Sequence, residues 1–467
     1  MELCRILDNK RSAVHFIGIG GVSMSSLAKL LFSDGHKITG SDTGDSSNVR
    51  ELKELGITVY PDQRAENIKE CDLIVYTAAI KEDNPELKRA FASGIPTVER
   101  CVLLGEMMKK YKCPVNVAGT HGKTTTTSML ASVFVCADTE PTVSVGGNYP
   151  AIGGNLLIGS KDYFICEACE YVESFLKFYP AVSVILNIEE DHLDYFRNLD
   201  HIKEAFLKFA KRTSDTVIFN GDEENCKILR NLGNIKTYTF GIDKTNDYYP
   251  ENITRDEKGR YSFDVSAKGE PRGRISLSVP GYHNLKNALA AYAAADICGI
   301  PHECIKKGLD GFTGAERRFE FKGIYRGARI YDDYAHHPSE IEALLKTAGT
   351  IDKNKLYIVF QPHTYSRTQK LMSEFVDVLS RVENLIITKV YAAREKDVLG
   401  VNAKTLADNI PGCLYIDSFD KIEEYLKDNV KENDLVVTVG AGDVFKIGED
   451  LLKQADAVDG NENQARV

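Results

Sequence analysis

The segment Val117–Thr127 (VAGTHGKTTTT) constrains the fold most strongly, because it has the composition of a loop that binds nucleotide phosphates. Pro114–Ala118 reads as a short buried strand, and Thr124–Phe134 carries apolar residues at helical spacing. Gly119 and Gly122 allow a tight turn between the two. The helix start would direct unpaired N–H groups and the positive end of the helix dipole at an anion. The segment therefore predicts an α/β protein with an ATP site.

Within this loop, Lys123 is expected to reach the outer phosphates of ATP, and Thr124 offers a hydroxyl to Mg²⁺. The usual pattern has a glycine six residues before the lysine, where this chain has Val117, so we expect a shorter loop variant. A helix cap with an incidental lysine is the structural alternative. The predicted ATP-binding residues of the loop are Gly119, Thr120, His121, Gly122, Lys123, Thr124 and Thr125.

Two further residues follow predicted buried strands and are candidate metal ligands. Glu167 lies at the end of the strand in DYFICEA. It is therefore expected to bind Mg²⁺ beside Thr124, or to orient a group that binds it. His192 lies in NIEEDHLDYF among acidic residues, where a metal role and a solvated turn are both open. Activation of a carboxylate by ATP brings two anions together. Two magnesium ions would neutralise the repulsion between them.

Length and charge exclude several classes of protein. A chain of 467 residues predicts about three domains, and a net charge of −10 without a dense Lys/Arg block argues against nucleic-acid binding. The longest wholly apolar run, Ala288–Ala295, is too short for membrane insertion, and the first residues form no apolar segment, so a cytoplasmic location is expected. Eleven scattered cysteines indicate free thiols. Cys166 and Cys169 form one CxxC without a second pair, which favours buried thiols over a zinc or redox site.

The order of predicted elements indicates three α/β domains. Strand and helix patterns alternate through residues 1–111, predicting a Rossmann-like, doubly wound domain. Residues 112–322 hold the phosphate loop, further strands and a hairpin around the turn signal Gly269–Gly273, predicting a P-loop ATPase-type domain with a mixed sheet. Residues 323–455 alternate again and predict a Rossmann-like C-terminal domain, and residues 456–467 are predicted to be a disordered tail.

The N-terminal domain carries a second glycine loop, in HFIGIGGVSMSSLA. Its glycines follow a strand and precede a helix, but Ser23 takes the place of the third glycine in GxGxxG. Such a loop accepts the diphosphate of NAD or of a UDP-sugar equally well, and a turn used only for packing is the structural alternative. The candidate UDP-sugar-binding residues are Gly18, Gly20, Gly21, Ser41 and Asp42.

Together with CEACEYVESFL, GYHNLKNALAA, GAERRFE, DDYAHHP and FQPHTYSRT, these motifs resemble the Mur ligases, in the family's order and over nearly the whole chain. The resemblance implies a UDP-binding domain, a central ATPase domain and a C-terminal domain that brings the amino acid. It implies ligation of L-alanine to UDP-N-acetylmuramate in peptidoglycan precursor synthesis, with ATP and Mg²⁺, through an acyl phosphate. The implied partners are these small molecules, and the chain is expected to be a monomer or homodimer.

The resemblance also assigns roles to single residues. Thr124 and Glu167 would hold the first magnesium ion and His192 the second, while Lys123 would neutralise the β- and γ-phosphates. The remaining implied contacts are Asn284 and Asn287 at the adenine, Arg318 at the γ-phosphate, Asp332 at the ribose, and His363 and Arg367 at the alanine or the acyl phosphate.

Two departures from the family pattern are informative. Several Mur ligases have a carbamylated lysine fourteen residues after the metal histidine, where this chain has Phe206, as in the alanine-adding branch. Cys169 stands where an aspartate is frequent, so a metal role at this position is not expected. Three alternatives remain open: a murein peptide ligase that adds a recycled tripeptide, an NAD-dependent oxidoreductase, and a nucleotide-sensing module without catalysis.

Overall fold

The computed structural model describes residues 2–192, 195–393, 395, 400 and 402–464. The chain forms two compact units. The first unit comprises Met1–Ile253, Phe263–Ile275 and Lys286–Phe312. The second comprises Thr254–Ser262, Ser276–Leu285 and Thr313–Val467.

The N-terminal sheet is entirely parallel, with strand order β3-β2-β1-β4-β5. This is the arrangement predicted for a Rossmann-like domain, because each strand returns to the same sheet through a helix. Its strands are β1 (Ala13–Ile17), β2 (Lys37–Ser41), β3 (Thr58–Tyr60), β4 (Leu73–Tyr76) and β5 (Thr97–Glu99). Its helices are α1 (Glu2–Asp8), α2 (Val22–Ser33), α3 (Ser47–Glu54), α4 (Pro85–Ala92) and α5 (Arg100–Met108), with a 3₁₀ turn at Ala65–Asn67.

The central sheet has ten strands in the order β15-β14-β13-β12-β11-β10-β6-β9-β7-β8. They are β6 (Cys113–Ala118), β7 (Thr142–Tyr149), β8 (Gly154–Leu157), β9 (Tyr163–Ala168), β10 (Val182–Ile185), β11 (Thr216–Asn220), β12 (Lys236–Phe240), β13 (Tyr248–Arg255), β14 (Arg260–Ala267) and β15 (Glu270–Pro280). The helices are α6 (Lys123–Cys136), α7 (Leu199–Ala210), α8 (Tyr282–Ile297) and α9 (His302–Asp310), with 3₁₀ segments Pro150–Ile152, Tyr171–Lys177 and Glu224–Leu229.

Three neighbouring parallel strands of this sheet position the phosphate site. β6 lies between β9 and β10 and is parallel to both. Their carboxyl ends therefore meet at one edge, from which the chain enters Gly119–Lys123, Cys169–Glu170 and Leu186–His192. β7 and β8 pair antiparallel, so the predicted mixed sheet is confirmed.

The hairpin predicted in this region is present, but its turn is narrower than expected. β14 and β15 are joined by Lys268 and Gly269 alone, and both residues have positive φ angles of 54° and 83°. A two-residue turn with positive φ at both positions matches the right-handed twist of the flanking strands. Gly273, which the sequence places in the turn, instead lies within β15.

The C-terminal sheet has six strands in the order β16-β17-β21-β18-β19-β20, with only the β16–β17 pair antiparallel. The strands are β16 (Glu320–Tyr325), β17 (Ala328–Asp333), β18 (Leu356–Phe360), β19 (Asn384–Ile387), β20 (Leu414–Tyr415) and β21 (Leu435–Val439). The helices are α10 (Pro338–Gly349), α11 (Tyr365–Lys370), α12 (Met372–Leu379), α13 (Ala403–Asp408), α14 (Phe419–Asn429) and α15 (Phe445–Gln464).

Two predicted boundaries differ from the structure. The division at residues 322 and 323 cuts β16, where a register shift between Phe321 and Gly323 hides the strand pattern in the sequence. The tail predicted to be disordered is helical up to Gln464, and residues 465–467 lie outside the described part. The helix starts with the buried residues Ile447 and Leu451, and once a helix has formed, each further residue adds one hydrogen bond.

Candidate functional site

The phosphate loop, Gly119–Lys123, connects β6 to α6 as the sequence predicts. Gly119 and Gly122 have φ angles of 145° and 84°, which side chains strongly disfavour. A Cβ atom at Gly122 would lie 2.7 Å from the Oδ1 atom of Asn287, and one at Gly119 would lie 2.9 Å from the Cβ atom of Leu186. Only glycine therefore fits at either position.

Lys123 is held at the first residue of α6 by three acceptors. Its Nζ donates to the carbonyl oxygens of Gly119 and Thr120 and forms an ion pair of 3.0 Å with Glu170. Burial is the largest single effect on Lys123 and lowers its pKa, but Glu170, Cys169 and Glu167 together outweigh burial, so the pKa is raised. The ammonium group therefore stays charged at the place where phosphate oxygens would meet the loop.

Thr124 and Glu167 lie together as predicted. The Thr124 hydroxyl donates to Glu167 Oε2 at 3.1 Å, and Glu167 Oε1 accepts from the N–H of Gly146 at 2.5 Å. A hydroxyl and a carboxylate at the N-terminus of a phosphate-loop helix suit a hard cation such as Mg²⁺. Thr125, the other predicted hydroxyl of the loop, is partly exposed in the first turn of α6.

The predicted metal ligand His192 lies beside two acidic residues. Possible ligand atoms of Glu170, Asp191 and His192 all lie within 4.8 Å of one another. Glu170 is only 2% exposed. His192 has a left-handed φ of 51°, a conformation that costs free energy in a non-glycine residue and is frequent at functional sites. These three side chains form a candidate cation site next to Lys123, distinct from the Thr124–Glu167 pair.

Sequence reasoning missed the residue that anchors the phosphate loop. The Asn187 side chain accepts from the His121 N–H at 2.8 Å and donates to the His121 carbonyl at 3.1 Å. Thr120 Oγ1 accepts from the Glu189 N–H at 2.9 Å, and the His121 ring lies 3.6 Å from the Glu189 carboxylate. The His121 contact lowers the pKa of Glu189. Predicted loop residues Thr120 and His121 thus act partly as attachments to the chain that follows β10.

The glycine loop, Gly18–Gly21, connects β1 to α2, but its own donors are largely used within the protein. The N–H groups of Gly18 and Ile19 donate to the Ser41 carbonyl, and the N–H of Gly20 donates to Asp42 Oδ2 at 2.9 Å. The first turn of α2 is then the part of this region that can offer N–H groups to a diphosphate. The Asp42 carboxylate therefore accepts a hydrogen bond from the glycine loop itself.

Ser41 is fully buried in the N-terminal domain. Its hydroxyl donates to Glu86 Oε2 at 2.5 Å, and Glu86 Oε1 lies 2.9 Å from His15 Nε2. His15 Nδ1 lies 2.8 Å from the Thr39 hydroxyl, which completes a buried polar network beneath the glycine loop. Strand alternation turns the Ser41 side chain into the domain, and a UDP-sugar contact at this position stays a prediction.

The predicted adenine residues are both largely buried on α8. Asn284 is 5% exposed and its Nδ2 donates to the Pro280 carbonyl at 2.7 Å. Asn287 is 7% exposed and lies against Gly122 of the phosphate loop. An adenine role at these two positions stays a prediction.

In the C-terminal unit, Asp332 is buried and bonded within the protein, and its predicted ribose contact stays a prediction. Its carboxylate is 1% exposed, and it accepts from the Thr438 hydroxyl at 2.6 Å and from Arg317 Nε at 2.9 Å. The next residue, Asp333, is partly exposed and accepts from the Phe319 N–H. Burial raises the pKa of Asp333 to about 7, although the Arg318 charge opposes this rise. Alternation along β17 therefore makes Asp333, and not Asp332, the carboxyl group at the strand end.

His363 and Arg367 lie together as their spacing around the start of α11 suggests. Arg367 Nη1 lies 3.1 Å from His363 Nδ1, and since arginine can only donate, this ring nitrogen accepts. Burial, His336 and Arg367 lower the pKa of His363 to about 4. His363 is therefore neutral near pH 7 and carries its proton on Nε2, next to the Arg367 guanidinium.

Three sequence profiles of one family match the chain in succession: the Mur ligase family, catalytic domain, over residues 13–112, the Mur ligase middle domain over 117–295, and the Mur ligase, glutamate ligase domain, over 317–442. The UDP-N-acetylmuramate–L-alanine ligase of Acetivibrio thermocellus is 48% identical over 98% of this chain and 99% of its own. The chain belongs to the Mur ligase family.

Other Mur ligases show the same likeness. The UDP-N-acetylmuramate–L-alanine ligase of Lachnospira eligens is 47% identical over 94% of this chain and 98% of its own. The crystal structure of the UDP-N-acetylmuramate-alanine ligase MurC of Thermotoga maritima is 29% identical, with a TM-score of 0.81 over 96% of this chain and 100% of that one. The three-domain α/β fold is thereby confirmed, and the chain is a ligase rather than the oxidoreductase that its glycine loop alone left open.

Two features that the sequence singles out, Phe206 and the cysteine pair Cys166 and Cys169, can be compared with the pattern of the Mur ligases. Phe206, at the place of the carbamylated lysine of several members, is fully buried and packs edge-on against Phe175 at 5.2 Å, so this position belongs to the core. Burial raises the pKa of the Cys166 and Cys169 thiols, which keeps both protonated and disfavours metal binding by this pair. Among the described residues, no helix is long and apolar enough to cross a membrane.

Proposed function

We propose that this Mur ligase joins L-alanine to UDP-N-acetylmuramate, with cleavage of ATP to ADP and phosphate. The observation that carries the proposal is the likeness over the full length of both chains to ligases named for this reaction. The geometry supports it, because the chain has two separate strand–loop–helix units for anions, one with a lysine at the start of its helix and one without.

The phosphate loop would bind ATP. The charged Lys123, raised in pKa by Glu170, would lie against the β- and γ-phosphates. Thr124 and Glu167 would hold one Mg²⁺, and Glu170 with Asp191 and His192 would hold a second, since their donor atoms are the oxygens and imidazole nitrogen that suit this role. Bound Mg²⁺ would supply neutralisation of the phosphate charge.

In the proposed reaction, the lactyl carboxylate of the sugar nucleotide attacks the γ-phosphorus of ATP, giving an acyl phosphate and ADP. The amine of L-alanine, after losing a proton, attacks the acyl carbon, and the tetrahedral intermediate expels phosphate and loses a second proton to leave an amide. Lys123 would stabilise the charge that shifts between the phosphoryl oxygens, and positioning would supply most of the remaining acceleration. Arg367 would bind the alanine carboxylate or the acyl phosphate, because its planar fork matches both.

Within the C-terminal unit, the neutral His363 would donate from Nε2 beside Arg367. Asp333 ends β17, and the Arg318 charge acts on its carboxyl group. We propose Arg318 for the γ-phosphate and a carboxyl group at this strand end, Asp332 or Asp333, for the ribose. A cytoplasmic location and a monomeric or dimeric state belong to the same proposal.

Phosphate release tests this function. The chain would be assayed with ATP and Mg²⁺, with and without UDP-N-acetylmuramate, and with L-alanine or L-Ala-γ-D-Glu-containing tripeptide as acceptor. We expect release only when both the sugar nucleotide and L-alanine are present. Release with the tripeptide and not with L-alanine would favour the murein peptide ligase alternative, and ATP binding without release would indicate a sensing module.

A further inference from the structure

Cys113 and Cys298 lie side by side in the first unit, although they are 185 residues apart in the chain. Cys113 is the first residue of β6, and Cys298 directly follows the last residue of α8. Their Sγ atoms are 4.0 Å apart, and both side chains are partly exposed. A disulfide bond would bring the sulfur atoms closer by about 2 Å, which rotation about the two Cα–Cβ bonds can supply.

Tyr163 holds the backbones of the two cysteines in this arrangement. It lies on β9 directly opposite Cys113, in the parallel pairing of β9 with β6. The Tyr163 hydroxyl donates to the Cys298 carbonyl oxygen at 3.4 Å. Its ring packs edge-on against Phe134 of α6, with 4.9 Å between the ring centres. Because strand pairing and this hydrogen bond fix both backbones, the sulfur atoms can join without a movement of β6 or α8.

The contact between the two thiols makes them chemically unequal. The Cys298 thiol donates to the Cys113 sulfur, and this lowers the pKa of Cys113 although burial opposes the change. The same hydrogen bond, together with burial, raises the pKa of Cys298. The thiolate is the form of cysteine that reacts with oxidants. Cys113 is therefore expected to react first, with Cys298 as the thiol that resolves the product.

We propose that Cys113 and Cys298 form a reversible disulfide bond on exposure to hydrogen peroxide. The Cys113 thiolate attacks one peroxide oxygen, the O–O bond breaks, and hydroxide leaves and takes up the proton that Cys113 released. The Cys298 sulfur then attacks the sulfur of the Cys113 sulfenic acid, the S–O bond breaks, and hydroxide leaves with the Cys298 proton as water. Two thiols and one peroxide thus give one disulfide and two water molecules. This inference does not depend on the proposed function.

The bond would tie the start of β6 to the end of α8. It would close a long stretch of chain, since 185 residues separate the two cysteines, and would thereby restrict the unfolded state. At about 3.3 Å per residue, Cys113 lies about 20 Å along the strand direction from Gly119, where the phosphate loop begins. Oxidation should therefore stabilise the first unit and leave the phosphate loop accessible.

Peptide mapping of the whole protein tests this assignment. The protein would be treated with stoichiometric hydrogen peroxide, its remaining thiols alkylated, and the chain digested without reductant. We expect a peptide pair joined through Cys113 and Cys298 that is lost on treatment with dithiothreitol. The apparent melting temperature should rise by about 5 °C or more on oxidation and fall again on reduction. The affinity for a non-hydrolysable ATP analogue should change less than about twofold.

Serine variants separate the roles of the two thiols. Cys298→Ser should leave a sulfenic acid at Cys113 that dimedone traps, whereas Cys113→Ser should give no adduct at Cys298. Neither variant should gain melting temperature on oxidation. Cys71→Ser removes another partly exposed thiol of the same unit and is the matched control, which should form the linked peptides as the wild type does.

Three results would overturn the assignment. One is linkage of Cys113 or Cys298 to a different cysteine, and another is a sulfinic acid at Cys113 of the wild type without the linked peptides. The third is that both thiols can still be alkylated after excess peroxide. The mapping of the wild type alone decides between these results and the expected one, so the test stays valid if a serine variant does not fold.

Discussion

The phosphate loop and the glycine loop of this chain share one backbone plan and differ in the side chains around it. Both follow a parallel strand and start a helix. The phosphate loop brings Lys123 and the Thr124 hydroxyl to its helix start, whereas the glycine loop brings no cation of its own and has its Gly20 N–H taken by Asp42. The backbone thus provides an anion site in both places, and the neighbouring side chains decide which anion it fits.

The two loops are also held by different chemistry. Asn187 binds the phosphate loop through a neutral amide on the adjacent strand end, and the buried carboxylate of Glu86 supports the glycine loop through Ser41. A loop that binds a triphosphate with a metal already concentrates charge, so a neutral anchor avoids further repulsion. Variants of each loop should therefore act on one substrate and spare the other.

The largest effect is expected at Lys123. Lys123→Ala should lower kcat of ligation by about a hundredfold or more at saturating ATP, equivalent to about 3 kcal/mol of lost transition-state stabilisation. Steady-state phosphate release measures this. Lys112→Ala, which removes an exposed ion pair with Asp162, is the control and should be nearly silent. Near-normal turnover by Lys123→Ala would show that this loop is not the catalytic one.

Gly20→Val should disturb the glycine loop and leave the phosphate loop unchanged, because the added side chain has no room. A Cβ atom at this position would lie 2.6 Å from Val49 Cγ2 and 2.9 Å from Asp42 Oδ2, so the glycine loop must shift. We expect the KM for the UDP-sugar to rise about tenfold or more while the KM for ATP stays within about twofold. Gly44→Ala, whose Cβ would meet its nearest neighbour at 3.5 Å, serves as control. A parallel rise of both KM values would argue against separate sites.

Glu86→Gln should also weaken binding of the UDP-sugar, but less than Gly20→Val does. The substitution keeps the shape of the side chain but removes the charge that strengthens its bonds to Ser41 and His15. The expected result is a severalfold rise in the KM for the UDP-sugar, with kcat and the KM for ATP unchanged. Asn67→Ala, which removes another buried hydrogen bond of the same domain, should lower the melting temperature without changing either KM. If both variants affected only stability, the network would have no part in positioning the loop.

The smallest effect is expected at His363 in the C-terminal unit. Its ring is neutral near pH 7, unlike the charged Lys123 of the phosphate loop and the charged carboxylates beside the glycine loop. Its pKa of about 4 lies below the value of about 6.5 expected in the unfolded chain. The unfolded state therefore binds more protons, and the stability contributed by the neutral ring is complete above pH 6.5 and is lost as the pH falls towards 4. His363→Gln should reduce the fall in the free energy of unfolding of this unit over that range, as measured by denaturant unfolding. An unchanged pH dependence would show that His363 is already charged in the folded state.

Local features of the site could be predicted from sequence, and features that depend on strand order could not. Lys123, Thr124 and the two loop glycines lie in one continuous strand–loop–helix segment, so their positions follow from spacing. Glu170 and Asn187 reach the same loop from β9 and β10, and only the pairing of both strands with β6 brings them there. Neither residue has a distinguishing sequence signal, apart from its place just after a buried strand.

Asp332 and Asp333 show a second limit. Adjacent residues of a strand point to opposite faces, and a pair of aspartates gives no indication of which one turns inward. The partner that decides it, Arg317, is a neighbour of the predicted Arg318 and binds Asp332 together with the Gly442 carbonyl. The short strands β3 and β5 have no strand signal in the sequence, because their three partly exposed residues show no apolar alternation.

The central claim is that one chain has two anion loops with separate ligands, and crossed calorimetry tests it most directly. Wild type, Lys123→Ala and Gly20→Val would each be titrated with a non-hydrolysable ATP analogue and with UDP-N-acetylmuramate. Lys123→Ala should lose affinity for the ATP analogue alone, and Gly20→Val should lose affinity for the sugar nucleotide alone. Loss of both ligands in either folded variant, or the reverse pairing of variant and ligand, would contradict the claim.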